Sequence, residues 1–512
     1  MDTFESEDLR SVFMDSQGNE DDDEVKINTA APRDRFKLIF WIMIIQGLGG
    51  LLPFNMFINA YEYFSYKFNG TDVSFSSSFE SYFSITSLIP ILLGSGFVVW
   101  LQTRVSIKRR FLIATSMMLV IFIITTAFVK VPTRHWVRGF FPITLISLFM
   151  LNGFSSINQS STVGLAGILG RSYIGAMMTG QAVAGIFSAS ASIIAVSVGP
   201  ITTGQCESGN VEYSALGYFL SAVVVILICL VSFLIMIRMD FTQYHIKMNS
   251  TSQQRKKKEA TSDGLKFNGE ETKQATKSAE TNTRINSEEE APHSLLQDEE
   301  GDDELADLLP SKRKKKKDSQ SGSIRGILEV LKEIWVYALS VYLVFVVTLS
   351  MFPTVLTNIK SVSYHSDNPE KYPWSDCLFV PFMCFLVFNV SDFVGRTVPQ
   401  WIVWPKNRYV ILVSTLCRVV LIPLLLLCNH KGSHTDNIVF KSDIFPILFN
   451  TILGVTNGYL ATVCMILAPQ SVGSKKAETA STIMSFFLSS GLTTGALLSF
   501  VMLVIMGVDI IS

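Results

Sequence analysis

Charge is the first thing this chain is short of. Asp, Glu, Lys and Arg make up 17% of its 512 residues, against about 25% in a typical soluble domain. Many of those charges lie in two polar segments, residues 1–35 and roughly 238–325. What remains cannot coat a water-facing surface, which excludes an ordinary soluble globule. Chemistry-bearing residues are scarce as well. The six histidines, His135, His245, His293, His365, His430 and His434, fall in loops or at the edges of apolar runs. The seven cysteines, Cys206, Cys229, Cys377, Cys384, Cys417, Cys428 and Cys464, form no close Cys/His cluster with zinc spacing. A membrane-embedded enzyme needs such a cluster, paired carboxylates, or a nucleophile with its base inside the apolar runs. The histidine positions speak against it, and no metal or cofactor is expected. Residues 1–30 are acidic ("NEDDDE") and lack the basic start, short apolar stretch and cleavage site of a secretory leader. The first apolar run is then expected to act as its own insertion signal.

Long apolar runs are what the chain has instead. It is 48% hydrophobic, with a mean hydropathy of +0.36. Crossing a bilayer as a helix takes about 20 mostly apolar residues. Eleven runs reach that length: roughly 36–58, 79–101, 111–131, 139–165, 172–199, 213–237, 330–356, 377–401, 409–428, 444–468 and 480–507. Lipid cannot satisfy free backbone groups, so helices are expected; barrel strands would alternate over about 10 residues. The predicted class is an all-α polytopic membrane protein, with six spans, a long polar segment and five more. The expected divisions are an acidic cytoplasmic tail (1–35), a six-helix bundle (36–237), a disordered charged loop (238–325) and a five-helix bundle (326–512). Two bundles around a central site is a common transporter layout, although no residue-level repeat links the halves. A monomer is expected.

Basic residues set the orientation. "RVSIKRR" (104–110), the long loop, "PKNR" (405–408) and "SKK" (474–476) alternate correctly if the N-terminus is cytoplasmic and the C-terminus extracellular. Lys130, Arg134 and Arg138 run against that rule. The loop's "KRKKKK" (312–317) can be read as a solvated positive-inside segment or as a contact with anionic lipid. The spans argue against a nuclear signal, so no nucleic acid is expected as partner. "ELADLL" (304–309), ending in Leu308 and Leu309, matches an acidic dileucine sorting signal, a pattern also common by chance. It keeps an endolysosomal membrane open beside the plasma membrane. Asn69 in "NGT" is a glycosylation candidate in the first outer loop, whereas Asn158, Asn249 and Asn389 should stay bare. Cys206 and Cys377 both fall near the outer face, where a bridge and two free thiols are each compatible with the sequence.

Against this apolar background "FNVSDFVGRTVPQW" (388–401) stands out. Asp or Arg at the centre of a span costs about 2.5–3.5 kcal/mol on insertion scales, tolerated where the charges pair or face a wet cavity. Asp392 and Arg396 are four apart, on one helix face and in the favoured order. Asn389 and Phe385 continue that face. One reading is a structural pair tying helices together. The other is a site for a neutral, polyhydroxylated solute, with a carboxylate to accept and a guanidinium fork to donate. Gln159, in "FSSINQSSTVGLAG", can read a base-like edge or glue helices. "LLPFNMF" (51–57) offers a Pro53 kink and Phe54 for stacking, or merely packed aromatics. The stretches "GLAGILG", "MTGQAVAG" and "SGLTTGALLS" fit close helix packing.

These residues also carry a resemblance. "LLPFNMFINAYEYF", "FNVSDFVGR", "MFP" (351–353), "NGYLATVCM" (457–465) and "AETASTIMSFFL" (477–488) together resemble the equilibrative nucleoside transporters, particularly the broad-selectivity plasma-membrane branch. The likeness covers nearly all the membrane part and leaves out the long loop. It implies an eleven-helix fold related to the major facilitator class, moving purine and pyrimidine nucleosides down their gradient without sodium. It implies that Asp392 and Arg396 hold the ribose and that Gln159 contacts the base. Leu51, Leu88, Ile91, Phe352, Phe385, Asn389 and Leu492 match cavity-lining positions, and Arg110 with Glu478 an inner ion-pair gate. The family usually has Trp where this chain has Phe54; Phe keeps a flat surface but loses an N–H donor, which bears on affinity and inhibitor response, not on the class. The rival readings are an organic-cation, monoamine or nucleobase carrier of the same fold and, further off, a non-transporting receptor. A cation carrier wants an extra cavity carboxylate, and the fourth and fifth runs contain no Glu.

Overall fold

Apolar residues on every side of a long segment leave it no polar face for water, and the chain satisfies its backbone by coiling. The computed structural model describes residues 32–68, 75–102, 104–132, 136–198, 201–202, 205–206, 211–249, 311–364, 374–429 and 439–506. Asp34–Ser512 form one contact unit; of the other, Met1–Arg33, only residues 32 and 33 are described. The helices of the first half are α1 Leu38–Asn59, α2 Tyr61–Phe68, α3 Phe75–Leu101, α4 Ile107–Val129, α5 Val137–Leu169, α6 Arg171–Val198, α7 Val211–Met236 and α8 over 240–249. Those of the second half are α9 Ser311–Met351, α10 Val387–Thr397, α11 Arg408–Cys417, α12 Leu421–Leu426, α13 Ile444–Gln470 and α14 Ala477–Ile505. The strand content described is one antiparallel pair, β1 Ile201–Thr202 with β2 Gln205–Cys206.

Nine helices among the described residues are long and apolar enough to cross a membrane. Two of the eleven apolar runs are not among them. Run 79–101 qualifies only as the shorter apolar helix Thr86–Leu101. Run 377–401 is broken into π-helical turns (Trp374–Leu378 and Pro381–Leu386), α10, and a 3-10 turn at Val398–Gln400. Pro381 and Pro399, which lack an N–H, stand in the irregular turns on either side of α10. Such π turns inside helices are often found at functional sites.

The stretch 238–325, expected to be disordered, is helical at both ends. Its start forms α8, because the polar segment is locally two-faced: Thr242 is buried, Phe241 meets the Tyr173 ring at 5.5 Å, and Ile246 packs on the core. Its end belongs to α9, whose backbone coils from Ser311 rather than from residue 330. Lys and Arg are good helix formers, so the basic run can extend the helix. Residues 250–310, with Leu308 and Leu309, and Asn69 of the first loop lie outside the described residues.

The apolar core comes in three parts, and their placement positions the site. One part draws on both halves, joining Ile42, Phe111 and Met177 to Val341, Cys464 and Met484. The second belongs to the first half alone, around Phe64, Phe122 and Phe219. The third belongs to the second half alone, around Met351, Phe379 and Phe449. Successive helices enter the shared core with opposite ends, as an up-and-down bundle requires: α4 with its start, α5 with its end, α6 with its start, α7 with its end. The halves are therefore fused at one end of the molecule and have separate cores at the other. Outer faces stay apolar, with Ile113, Ile123, Leu220, Leu227 and Val413 exposed, as lipid contact demands. Cys377 is disulfide-bonded, and its turn of helix packs against the strand that ends at Cys206; Cys229, Cys384, Cys417, Cys428 and Cys464 are free.

Candidate functional site

α10 carries Asp392 and Arg396 on its inner face. Val390 and Val394 point outward, whereas Ser391, Asp392, Gly395 and Arg396 are buried. Arg396 Nε donates to Asp392 Oδ2 at 2.7 Å. The charges are 4% and 5% exposed, so the pair is almost dry in this conformation.

Two neighbouring helices complete its shell. On α13, Asn457 Nδ2 donates to Asp392 Oδ1 at 2.7 Å. α13 comes this close because residue 458 is glycine: a Cβ there would stand 2.2 Å from the Asp392 carbonyl oxygen. On α6, Gln181 Oε1 accepts from Arg396 Nη1 at 2.8 Å. That bond joins the first half of the chain to the second. Among the described residues neither the buried Gln181 Nε2 nor Arg396 Nη2 has a hydrogen-bond partner. The carboxylate keeps two of its roughly four lone-pair positions. The pair thus ties helices together while leaving donors and acceptors unspent.

Other predicted residues group less tightly. Asn389 is half-buried, its Nδ2 turned back to the Phe385 carbonyl at 2.8 Å. Its Oδ1 stands where a Cβ on Gly185 would lie, 1.9 Å away, so α6 crosses α10 here too. Phe352 meets the Phe385 ring edge-on at 5.9 Å and stacks on Phe388 at 4.0 Å. Leu51, Leu88, Ile91 and Leu492 are half-buried. Gln159, on α5, is half-buried beside Gly50 of α1 and makes no hydrogen bond among the described residues, to the ion pair or otherwise. The Phe54 side chain lies outside the described residues.

Arg110 and Glu478, far apart in sequence, meet at the fused end of the molecule, with Nη2 to Oε1 at 2.7 Å. Asn249, at the end of α8, adds a bond from Nδ2 to Glu478 Oε2 at 3.4 Å. Beside them Gly167 of α5 allows Ser481 of α14 in, and a Cβ there would stand 2.0 Å from Ser481 Oγ. The glycine-rich stretches are packing surfaces, as expected.

The shell includes residues that sequence reasoning passed over. Gln181 sat inside "MTGQAVAG", read only for its glycines, and Asn457 inside "NGYLATVCM". Arg418 is a charge within the run 409–428, a visible signal whose partners could not be named from the sequence.

The geometry defines a class first: a helical membrane protein with a buried polar crossing between two halves, built like a carrier. A family model described as nucleoside transporter matches residues 145–504. Equilibrative nucleoside transporter 1 of Rattus norvegicus is 32% identical over 500 residues, covering 92% of this chain and 98% of that protein. The Homo sapiens equilibrative nucleoside transporters 1 and 2 are each 32% identical, over 496 and 484 residues, covering 92% of this chain and 97% and 98% of theirs. The chain belongs to the nucleoside transporter family. Among solved structures, the major facilitator superfamily proton:xylose symporter XylE superposes with a TM-score of 0.53 at 10% identity, covering 92% of this chain and 89% of that one. At that identity the likeness concerns the fold alone.

Proposed function

We propose that this chain is a facilitative carrier of purine and pyrimidine nucleosides, working by alternating access without sodium. The observation that carries this reading is the buried Asp392–Arg396 pair at the crossing of α6, α10 and α13, in a chain of this family. Ribose hydroxyls engage Asp392 and Arg396, Gln159 orients the base, and Leu51, Phe54, Leu88, Ile91, Phe352, Phe385, Asn389 and Leu492 line the path. Eleven spans in a 6+5 arrangement fit the runs in the sequence, with α3 and the broken segment around α10 as the two beyond the nine. The fused end faces the cytoplasm, so Arg110–Glu478 closes the inner side and the separate cores flank an outer entrance. The plasma membrane is the proposed residence, with the N-terminus cytoplasmic and Asn69 glycosylated outside.

Purified protein in liposomes tests this against a panel of nucleosides, bases and amines. Labelled uridine should enter until inside and outside concentrations match, with or without a sodium gradient. Accumulation above the external level under that gradient overturns the equilibrative reading. Preferential uptake of an amine overturns the substrate class.

A further inference from the structure

Arg418 lies in the 3-10 turn Arg418–Val420 between α11 and α12, inside the candidate span Arg408–Leu426. It is 3% exposed, and no carboxylate forms an ion pair with it among the described residues. A guanidinium at such depth is costly and marks function more often than packing. Its Nε donates to Thr456 Oγ1 at 3.0 Å and its Nη1 to the Val344 carbonyl at 2.8 Å. Its Nη2 donates to Thr348 Oγ1 at 2.7 Å and to the Leu453 carbonyl at 3.2 Å. Thr348, on α9, lies 2.9 Å from Asn457 Oδ1, and Asn457 Nδ2 lies 2.7 Å from Asp392 Oδ1.

The chemistry gives this chain of bonds a direction. An ionised carboxylate only accepts, so Asn457 must turn its NH2 toward Asp392 and its carbonyl toward Thr348. The Thr348 hydroxyl must then donate to Asn457. That hydroxyl has a single proton and a competing acceptor, the Val344 carbonyl at 2.8 Å. Arg418 decides the competition twice over: Nη1 covers Val344, and Nη2 occupies a Thr348 lone pair. The amide of Asn457 is thereby fixed, and with it one oxygen of Asp392. When Arg396 turns its remaining donors to a solute, Asp392 still has this second support.

We propose that Arg418, acting through Thr348 and Asn457, is a positioning residue that holds the Asp392 carboxylate for the hydroxyls of the transported sugar. This rests on the sugar-binding reading of Asp392 and Arg396. The test compares KM for uridine and for 2′,3′-dideoxyuridine in reconstituted wild type, Thr348→Val, Thr348→Ser, Arg418→Lys and Asp392→Asn. Thr348→Val and Arg418→Lys should raise the uridine KM about fivefold, the effect of one loosened buried hydrogen bond. The dideoxyuridine KM should hold steady, so the preference for the full sugar shrinks. Thr348→Ser keeps the hydroxyl and should restore it. If both KM values rise together, or only Vmax falls, the residues merely support the fold and the proposal is overturned. If Asp392→Asn erases the preference while Thr348→Val leaves it intact, the relay is wrong and the sugar site stands. If Asp392→Asn itself leaves the preference unchanged, the sugar reading fails and the relay with it. Should Arg418→Lys fail to fold, the Thr348 pair of variants decides.

Discussion

At the residue scale, everything turns on how two opposite charges are held where lipid tolerates neither alone. Asp392 gives one oxygen to Arg396 and the other to Asn457, and Arg396 spends a second arm on Gln181. Removing one member of such a pair leaves the other buried and uncompensated, at about 3–5 kcal/mol. Asp392→Asn is expected to cut initial uridine uptake at least about tenfold while protein at the cell surface, measured by biotinylation, persists. Arg396→Lys should do nearly the same. A single ammonium cannot reproduce the divergent Nε and Nη1 contacts to two helices. Normal uptake kinetics in both variants would remove the site assignment.

At the element scale, close helix crossings place these residues. Gly458 brings α13 against the backbone of α10 beside Asp392, and Gly180 brings α6 against α1, where a Cβ would stand 2.0 Å from the Ile44 carbonyl oxygen. A side chain at 458 must drive α13 away and break the Asn457–Asp392 bond. Gly458→Val is expected to lose uptake and lower the detergent melting temperature, since overpacking a tight contact costs about 1–3 kcal/mol. Gly217→Ala, on α7 with nothing among the described residues within 4 Å of the added atom, is the matched control and should leave both unchanged. An undisturbed Gly458→Val would show that the crossing does not set the site.

At the scale of the whole molecule, the distribution of apolar core describes a conformation. The halves share packing at the Arg110–Glu478 end and have separate cores at the other. Access to the crossing from the fused end requires that shared core and the ion pair to part. Arg110→Glu and Glu478→Arg are each expected to slow transport severalfold, and the double exchange to recover part of the loss in the same uptake assay. A buried pair is costly to break from one side and less so to invert. Absence of any rescue would count against a gate. Asn249 of α8 also touches Glu478, so the polar segment after α7 reaches the same ion pair.

By itself the sequence determined that this chain spans a membrane as helices, because apolar length and lipid's refusal of free backbone groups leave no other choice. It determined that Asp392 and Arg396 share a helix face, because a separation of four is one turn. Local periodicity reaches no further than that. It could not say that Gln181, Asn457, Thr348 and Arg418 converge on the pair, nor that the stretch 240–249 would coil and seat Asn249 on Glu478. The family resemblance pairs Arg110 with Glu478; no rule of spacing does. Those meetings join residues distant in the chain, and only the way the helices cross decides them: a hydrogen bond depends on ångström-scale proximity, which sequence separation does not measure.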